Sequence, residues 1–157
     1  MRTKFLQLLI ETAVPFLNTF RSSPEWHYSH QELRGLPKES IGFELSAFLD
    51  RLQLTLLPKY EVHDLLHVLL QYGTSPKEEM MLQGFMLGNG SASFGGKVLF
   101  TIGLIIKPEY FPAVRQEWKR GKRARPVHTF NFHKLVTYKT RTLQHRLQIP
   151  MRSNSTE

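Results

Sequence analysis

A chain of 157 residues, 41% hydrophobic and 22% charged, is one domain of ordinary size with enough apolar side chains for a full core. It has no cysteine, which excludes disulfides and thiolate metal sites and is compatible with a reducing compartment. The formal net charge of +8 belongs to the C-terminal third, since residues 1–106 hold nine Lys/Arg and ten Asp/Glu while residues 107–152 hold twelve Lys/Arg and only Glu109 and Glu117.

In chain order, Arg2 and Lys4 precede an apolar stretch, but no small-residue cleavage site follows, so no signal peptide is expected. Glu11 and the scarcity of serine argue against a transit peptide. Phe5, Leu8, Leu9, Thr12, Ala13, Phe16 and Phe20 recur at helical spacing, with a kink expected at Pro15. Such a helix either docks on the core or lies on a membrane surface. After Leu36-Pro37, the stripe Ile41, Leu45, Phe48, Leu49 and Leu52 predicts a second helix. A third should run from about Lys59 to Gln71 and stop at Tyr72-Gly73, with Val62, Leu65, Leu66, Leu69 and Leu70 facing the core.

Ser75-Pro76-Lys77-Glu78 reads as the next start: Ser75 the N-cap, Pro76 the first helical residue, Glu78 closing a capping box. Gly88 to Ser91 breaks the chain before a helix over about Ser93 to Ile106. Its run from Val98 to Ile106 is the most apolar in the chain and reads as buried, well short of the roughly 18–20 residues of a membrane span. Pro108 opens a helix that Gly121 should cap. The last helix, about Lys134 to Gln148, is weakened by threonines at 137, 140 and 142. No alternating strand with hairpin chemistry occurs. The expected fold is all-α: a single domain over residues 1–150 of six or seven helices, with a metal site between two consecutive helices and a flexible tail over 151–157.

The chemistry concentrates at His63-Asp64-Leu65-Leu66-His67 with Glu79 twelve residues on. On a helix, His63 and His67 lie four apart and Asp64 and His67 three apart, so the three side chains leave one side. Glu79 falls in the first turn of the next helix, where unpaired amides favour a carboxylate, and a short connection folds that turn back towards His67. Two imidazoles and two carboxylates make a site of mixed nitrogen and oxygen character for a divalent cation: Mg, Mn or Fe by the carboxylates, Zn or Co by the histidines. Helical histidines at this spacing also occur as surface or hydrogen-bonded core residues. The remaining His27, His30, His128, His133 and His145 lack ligand spacing and read as surface or hydrogen-bonding groups.

H-D-x-x-H, eleven residues, E resembles the signature of the coenzyme Q (ubiquinone) biosynthesis family. Leu36-Pro37-Lys38-Glu39-Ser40-Ile41-Gly42 is similar to its L-P-x-x-S-x-G stretch, Trp118 to Pro126 to its W-x-x-G-x-x-A-K-P/L segment, and Leu143 to Ile149 to its terminal leucine-rich turn. The similarity runs from about Leu33 to Ile149. It implies an all-α fold, a divalent metal on His63, Asp64, His67 and Glu79, and an apolar groove for a polyprenyl chain. Also implied is a role in ubiquinone synthesis, either as catalyst of oxidative decarboxylation at ring carbon 1 of a polyprenyl-hydroxybenzoate or as a non-catalytic organiser of the quinone biosynthesis enzymes. The chain departs from the family pattern in being shorter at its N-terminus, in the apolar Met80-Met81-Leu82-Gln83-Gly84 after Glu79, and in Phe132-His133, where an acidic residue often follows the aromatic one.

Met80, Met81, Phe85, Met86 and Phe94 are adaptable or flat surfaces suited to a flexible chain, although such residues are more often plain core. The run Lys119, Arg120, Lys122, Arg123 and Arg125 is either a solvated loop, a contact with an anionic membrane, or a cradle for an anionic head group. Nucleic acid is not expected, because no recognition-helix motif or base-stacking aromatic arrangement accompanies the run. The resemblance places the protein peripherally on the inner face of a membrane, the matrix face in a mitochondrion. A metallohydrolase ranks last, since H-D-x-x-H lacks the glutamate of H-E-x-x-H, and Asp50 is the only other aspartate for a histidine–aspartate phosphohydrolase.

Overall fold

The computed structural model describes residues 26–152. Among them the chain forms seven α-helices and no strand: α1 His30–Arg34, α2 Ile41–Leu52, α3 Glu61–Leu70, α4 Pro76–Gly88, α5 Phe94–Ile106, α6 Phe111–Arg123 and α7 Thr140–Arg146. Three 3-10 turns, Pro108–Tyr110, Val127–Thr129 and Phe132–Lys134, link the later helices. The helix expected over Phe5–Phe20 lies outside the described residues, as do residues 153–157 of the expected tail. Arg152, at the start of that tail, donates to Glu78 at 2.6 and 2.8 Å.

Serine starts four of the helices. Ser29, Ser40, Ser75 and Ser93 are N-caps in extended conformation, each accepting from the amide three residues on. This satisfies one of the amides a helix start leaves unpaired. The reciprocal capping box expected at Ser75 is absent: Glu78 turns instead to the Gly73 amide at 3.0 Å and to Arg152. A full box occurs at Ser29–Glu32.

The core joins the inner faces of these helices. Leu33, Ile41, Leu45, Leu49, Leu65, Leu69, Leu82, Phe85 and Leu143 have no solvent exposure, which includes most of the stripes expected on α2 and α3. Val62 and Leu52 are only partly buried against it. α3 packs on α2, α7 and the Phe132–Lys134 turn, and α4 packs on α5 and most closely on α6. Glycine permits that last approach. A Cβ on Gly88 would run into the Trp118 carbonyl, and one on Gly121 into the Phe85 carbonyl. Met80, Met81, Phe85 and Met86 are core residues, whereas Phe94 is outside.

α3 ends where expected, with Gln71 as its left-handed cap at φ 64°. Three other expectations fail. Gly121 lies within α6, and the end of that helix is held instead by the buried Asn89, whose amide donates to the carbonyls of Gly121, Ala124 and Arg125. The long last helix is replaced by a 3-10 turn, a run of turns and the short α7. Residues 135–139 leave the helical path, and the carbonyls of Tyr138 and Val136 cap α2, accepting from Ile41 and Gly42 at 2.9 Å. Finally, α5 is not buried: Phe94 is 81% and Ile105 76% exposed.

Candidate metal centre

His63 and His67 stand one turn apart on α3, and Glu79 sits in the first turn of α4, its amide bonded to the Ser75 carbonyl at 2.9 Å. The connection between the helices is short because Gln71 reverses the chain in left-handed conformation, with the Tyr72 amide bonded to the His67 carbonyl at 2.9 Å. Pro76 then opens α4 behind the Ser75 cap. Local cap chemistry alone thus returns a carboxylate to the pair of histidines.

The three groups meet closely. His67 Nε2 lies 3.1 Å from His63 Nε2 and 3.1 Å from Glu79 Oε1, and His63 Nε2 lies 3.5 Å from Glu79 Oε2. All three ligand atoms fall within 4.8 Å of one another. Donors bound at zinc-like distances of about 2.0–2.1 Å are about 3.3 Å apart on a tetrahedral edge and about 3.0 Å apart on an octahedral one. The observed separations fit either. His67 is 2% exposed, Glu79 17% and His63 28%, so the group is sealed at His67 and opens towards solvent past His63. Phe48 of α2 walls the sealed side, its ring 5.8 Å from that of His67 and tilted by 22°.

The electrostatics favour a cation. Burial would raise the Glu79 carboxyl, but hydrogen bonds from His63 and His67 outweigh it and hold it at about 2. Burial would lower the His67 imidazole, yet its hydrogen bond with Glu79 and the charges of Glu79 and Asp64 leave it raised. Glu79 is therefore ionised and draws positive charge into the gap between the rings, whether a proton or a metal ion.

Asp64 is half-buried and stands outside the triad. Each helical residue turns the direction by about 100°, which sets His63 and His67 about 40° apart and carries Asp64 to the far flank of His67. Burial raises its carboxyl, while the charges of His63 and His67 pull it down. Phe48 carried only the signal of its place on the α2 stripe, and His133 departs from the surface or hydrogen-bonding role expected of it. His133 has both ring nitrogens enclosed without a hydrogen-bond partner and packs edge-on against Trp26 at 5.2 Å. Its turn packs on α3; burial lowers its pKa, and Glu61 opposes this.

The basic run divides. Arg120 is buried, donating to Glu117, Tyr72, the Leu70 carbonyl and the Pro150 carbonyl at 2.8–3.3 Å, so it is a structural cation. Lys119, Lys122, Arg123 and Arg125 are exposed.

No family model matches the chain, and no curated protein sequence matches it. A solved structure does: a Nostoc punctiforme protein provisionally designated a ubiquinone biosynthesis protein superposes with a TM-score of 0.68 at 15% identity, covering 96% of this chain and 83% of that one. At that identity the likeness establishes a shared fold.

Proposed function

We propose that the chain is a metal-dependent protein of ubiquinone (prenyl-quinone) biosynthesis, with His63, His67 and Glu79 holding one divalent cation and Asp64 contributing on its remaining side. The observation that carries this reading is the convergence of two imidazoles and an ionised carboxylate, in a fold shared with the Nostoc punctiforme protein. Zn, Mg, Mn, Fe and Co all fit so mixed a donor set. A cation there supplies Lewis-acid chemistry, polarising a phenol or carboxylate oxygen. The protein's own share is positional. Phe48 and the core behind His67 exclude water on one side, the open side past His63 admits a polar head, and the apolar tail of a polyprenyl aromatic stays outside the polar cluster.

The reaction we assign is decarboxylation at ring carbon 1 of a polyprenyl-hydroxybenzoate. The bond from ring to carboxylate breaks and carbon dioxide leaves. A proton takes the electron pair left on the ring, or, in the oxidative form, dioxygen takes two electrons and leaves as hydrogen peroxide while water supplies the replacing hydroxyl. Elemental and lipid mass spectrometry of the purified protein, followed by carbon dioxide release from a carboxyl-labelled prenyl-hydroxybenzoate, tests this. The expected result is near-stoichiometric metal, together with turnover that the His67→Ala variant loses along with the metal. Metal and prenyl lipid retained without turnover under any of the five metals would assign a scaffold role. A metal-loaded structure with the three side chains more than about 6 Å from the ion, far outside ligand range, would remove the reading altogether.

A further inference from the structure

α5 presents two opposite faces. Gly96 lies against the Gln83 side chain of α4, close enough that a Cβ would collide, and Gly103 is buried. On the other side Phe94, Val98, Thr101 and Ile105 follow one another at i, i+4, i+7 and i+11, which is a single stripe at the helical period. Phe94 is 81% exposed, Val98 38% and Ile105 76%. Phe111, 55% exposed, follows Ile105 across the Pro108–Tyr110 turn and opens α6. From it Arg115, Trp118 and Lys122 repeat the same spacing along the outer side of α6, with Lys122 Nζ 4.6 Å from the Trp118 ring. Scattered exposed apolar residues need no explanation, but a continuous stripe marks a contact surface.

Charge selects the occupant. Residues 93–125 carry eight Lys/Arg and two acidic residues. Both acids are engaged, Glu117 buried against Arg120 at 3.2 Å and Glu109 paired with Lys107 at 3.0 Å. Among the solvent-facing groups around the stripe the cations Lys97, Arg115, Lys119 and Lys122 therefore outnumber the one exposed acid, Glu109, whose charge Lys107 offsets. A second copy would bring like charge against like, whereas an anionic lipid surface is complementary. α5 has 13 residues, and no helix among the described residues is long and apolar enough to cross a membrane. An amphipathic helix of this kind lies in the interface plane.

We propose that the outer stripe of α5, with Phe111 at its corner, is a docking surface for an anionic lipid bilayer. Phe94, Val98 and Ile105 enter the boundary between headgroups and acyl chains, Trp118 sits at headgroup level, and Lys97, Arg115 and Lys122 face the lipid phosphates. This centres the membrane contact on α5 and keeps Lys122 from the run Lys119–Arg125, whose Arg120 is internal. It uses none of the metal-centre residues, so it stands or falls apart from the function proposed above.

The test is partition of the full chain into phosphatidylcholine vesicles with and without phosphatidylglycerol. Wild type should bind the anionic vesicles. Phe94→Ser with Ile105→Ser should lower the partition coefficient by at least about tenfold with no loss of melting temperature, because both side chains leave water only on binding. Lys97→Glu with Arg115→Glu and Lys122→Glu should abolish the preference for anionic lipid. The cysteine-free chain also permits a single environment-sensitive fluorophore at Ile105→Cys, whose emission should shift to the blue on adding anionic vesicles. Unshifted emission, or a double serine variant that binds like wild type, overturns the proposal. So does a wild-type dimer in sedimentation that the serine variant splits, because the stripe would then be covered by a second copy.

Discussion

Glu79→Gln isolates what the carboxylate does between the two imidazoles. In the metal-free protein the Glu79 carboxyl is held at about 2 against an ordinary 4.5, a difference worth about 3 kcal/mol of folding stability at about 1.4 kcal/mol per unit. Glutamine keeps one neutral hydrogen bond, worth about 1 kcal/mol, so the expected net loss is about 2 kcal/mol. The pH window follows from both partners. The depressed Glu79 contributes fully above about pH 4.5 and loses its contribution as pH falls towards 2. The raised His67 contributes below its ordinary 6.5 and loses its contribution as pH climbs through its folded value. The variant should thus differ most from wild type between about pH 4.5 and 6.5, and less in alkaline buffer. A bound metal reverses the trend, since protons compete for the same ring nitrogens and added zinc should stabilise wild type more as pH rises. Urea melts with chelator and with zinc across that range measure both. Equal stability of variant and wild type near pH 6 in chelator would refute the reasoning, because the ion pair would then contribute nothing.

Asp64→Asn should leave metal-free stability unchanged or slightly higher, because burial already disfavours its charge, while lowering zinc affinity by about tenfold in calorimetric titration. Arg152→Ala removes the donors to the Gln71 carbonyl and to both Glu78 oxygens, and should cost about 1–2 kcal/mol in urea melts and weaken zinc binding by loosening the turn beside Glu79. Gly121→Ala drives a Cβ into the Phe85 carbonyl, so thermal melts should show a loss of at least about 3 kcal/mol or failure to fold.

The helical class and the inner stripes of α2 and α3 were legible because apolar period is a local property that burial then follows. The candidate triad was legible for the same reason: i, i+4 spacing and a serine-proline start are local, and they suffice to place His63, His67 and Glu79 together. What failed was non-local. Gly121 looked like a helix end, but its lack of a side chain serves the crossing with α4. Residues 135–139 looked helical, yet the carbonyls of Val136 and Tyr138 are spent on the distant start of α2. The apolar run of α5 looked buried because hydropathy measures the cost of exposure without showing which surface relieves it.

The cations of the C-terminal third show the limit of charge counting most sharply. Arg120 and Arg152 converge from α6 and the chain's end on the few residues that join α3 to α4. Arg120 takes the Leu70 carbonyl through both terminal nitrogens at 3.3 Å, and Arg152 takes the Gln71 carbonyl at 2.8 Å. Tyr72 is held between them by its hydroxyl bond to Glu117 at 2.6 Å. The carbonyls that end α3 would otherwise need solvent. Here two guanidiniums satisfy them, and the geometry they fix is the turn that sets Glu79 opposite His67. The same stretch of sequence therefore supplies two kinds of cation: internal ones that preorganise the site, and external ones on α6 that leave the surface positive. Pooled as one basic patch they suggest a partner for every charge, whereas the fold already provides partners for Arg120 and Arg152.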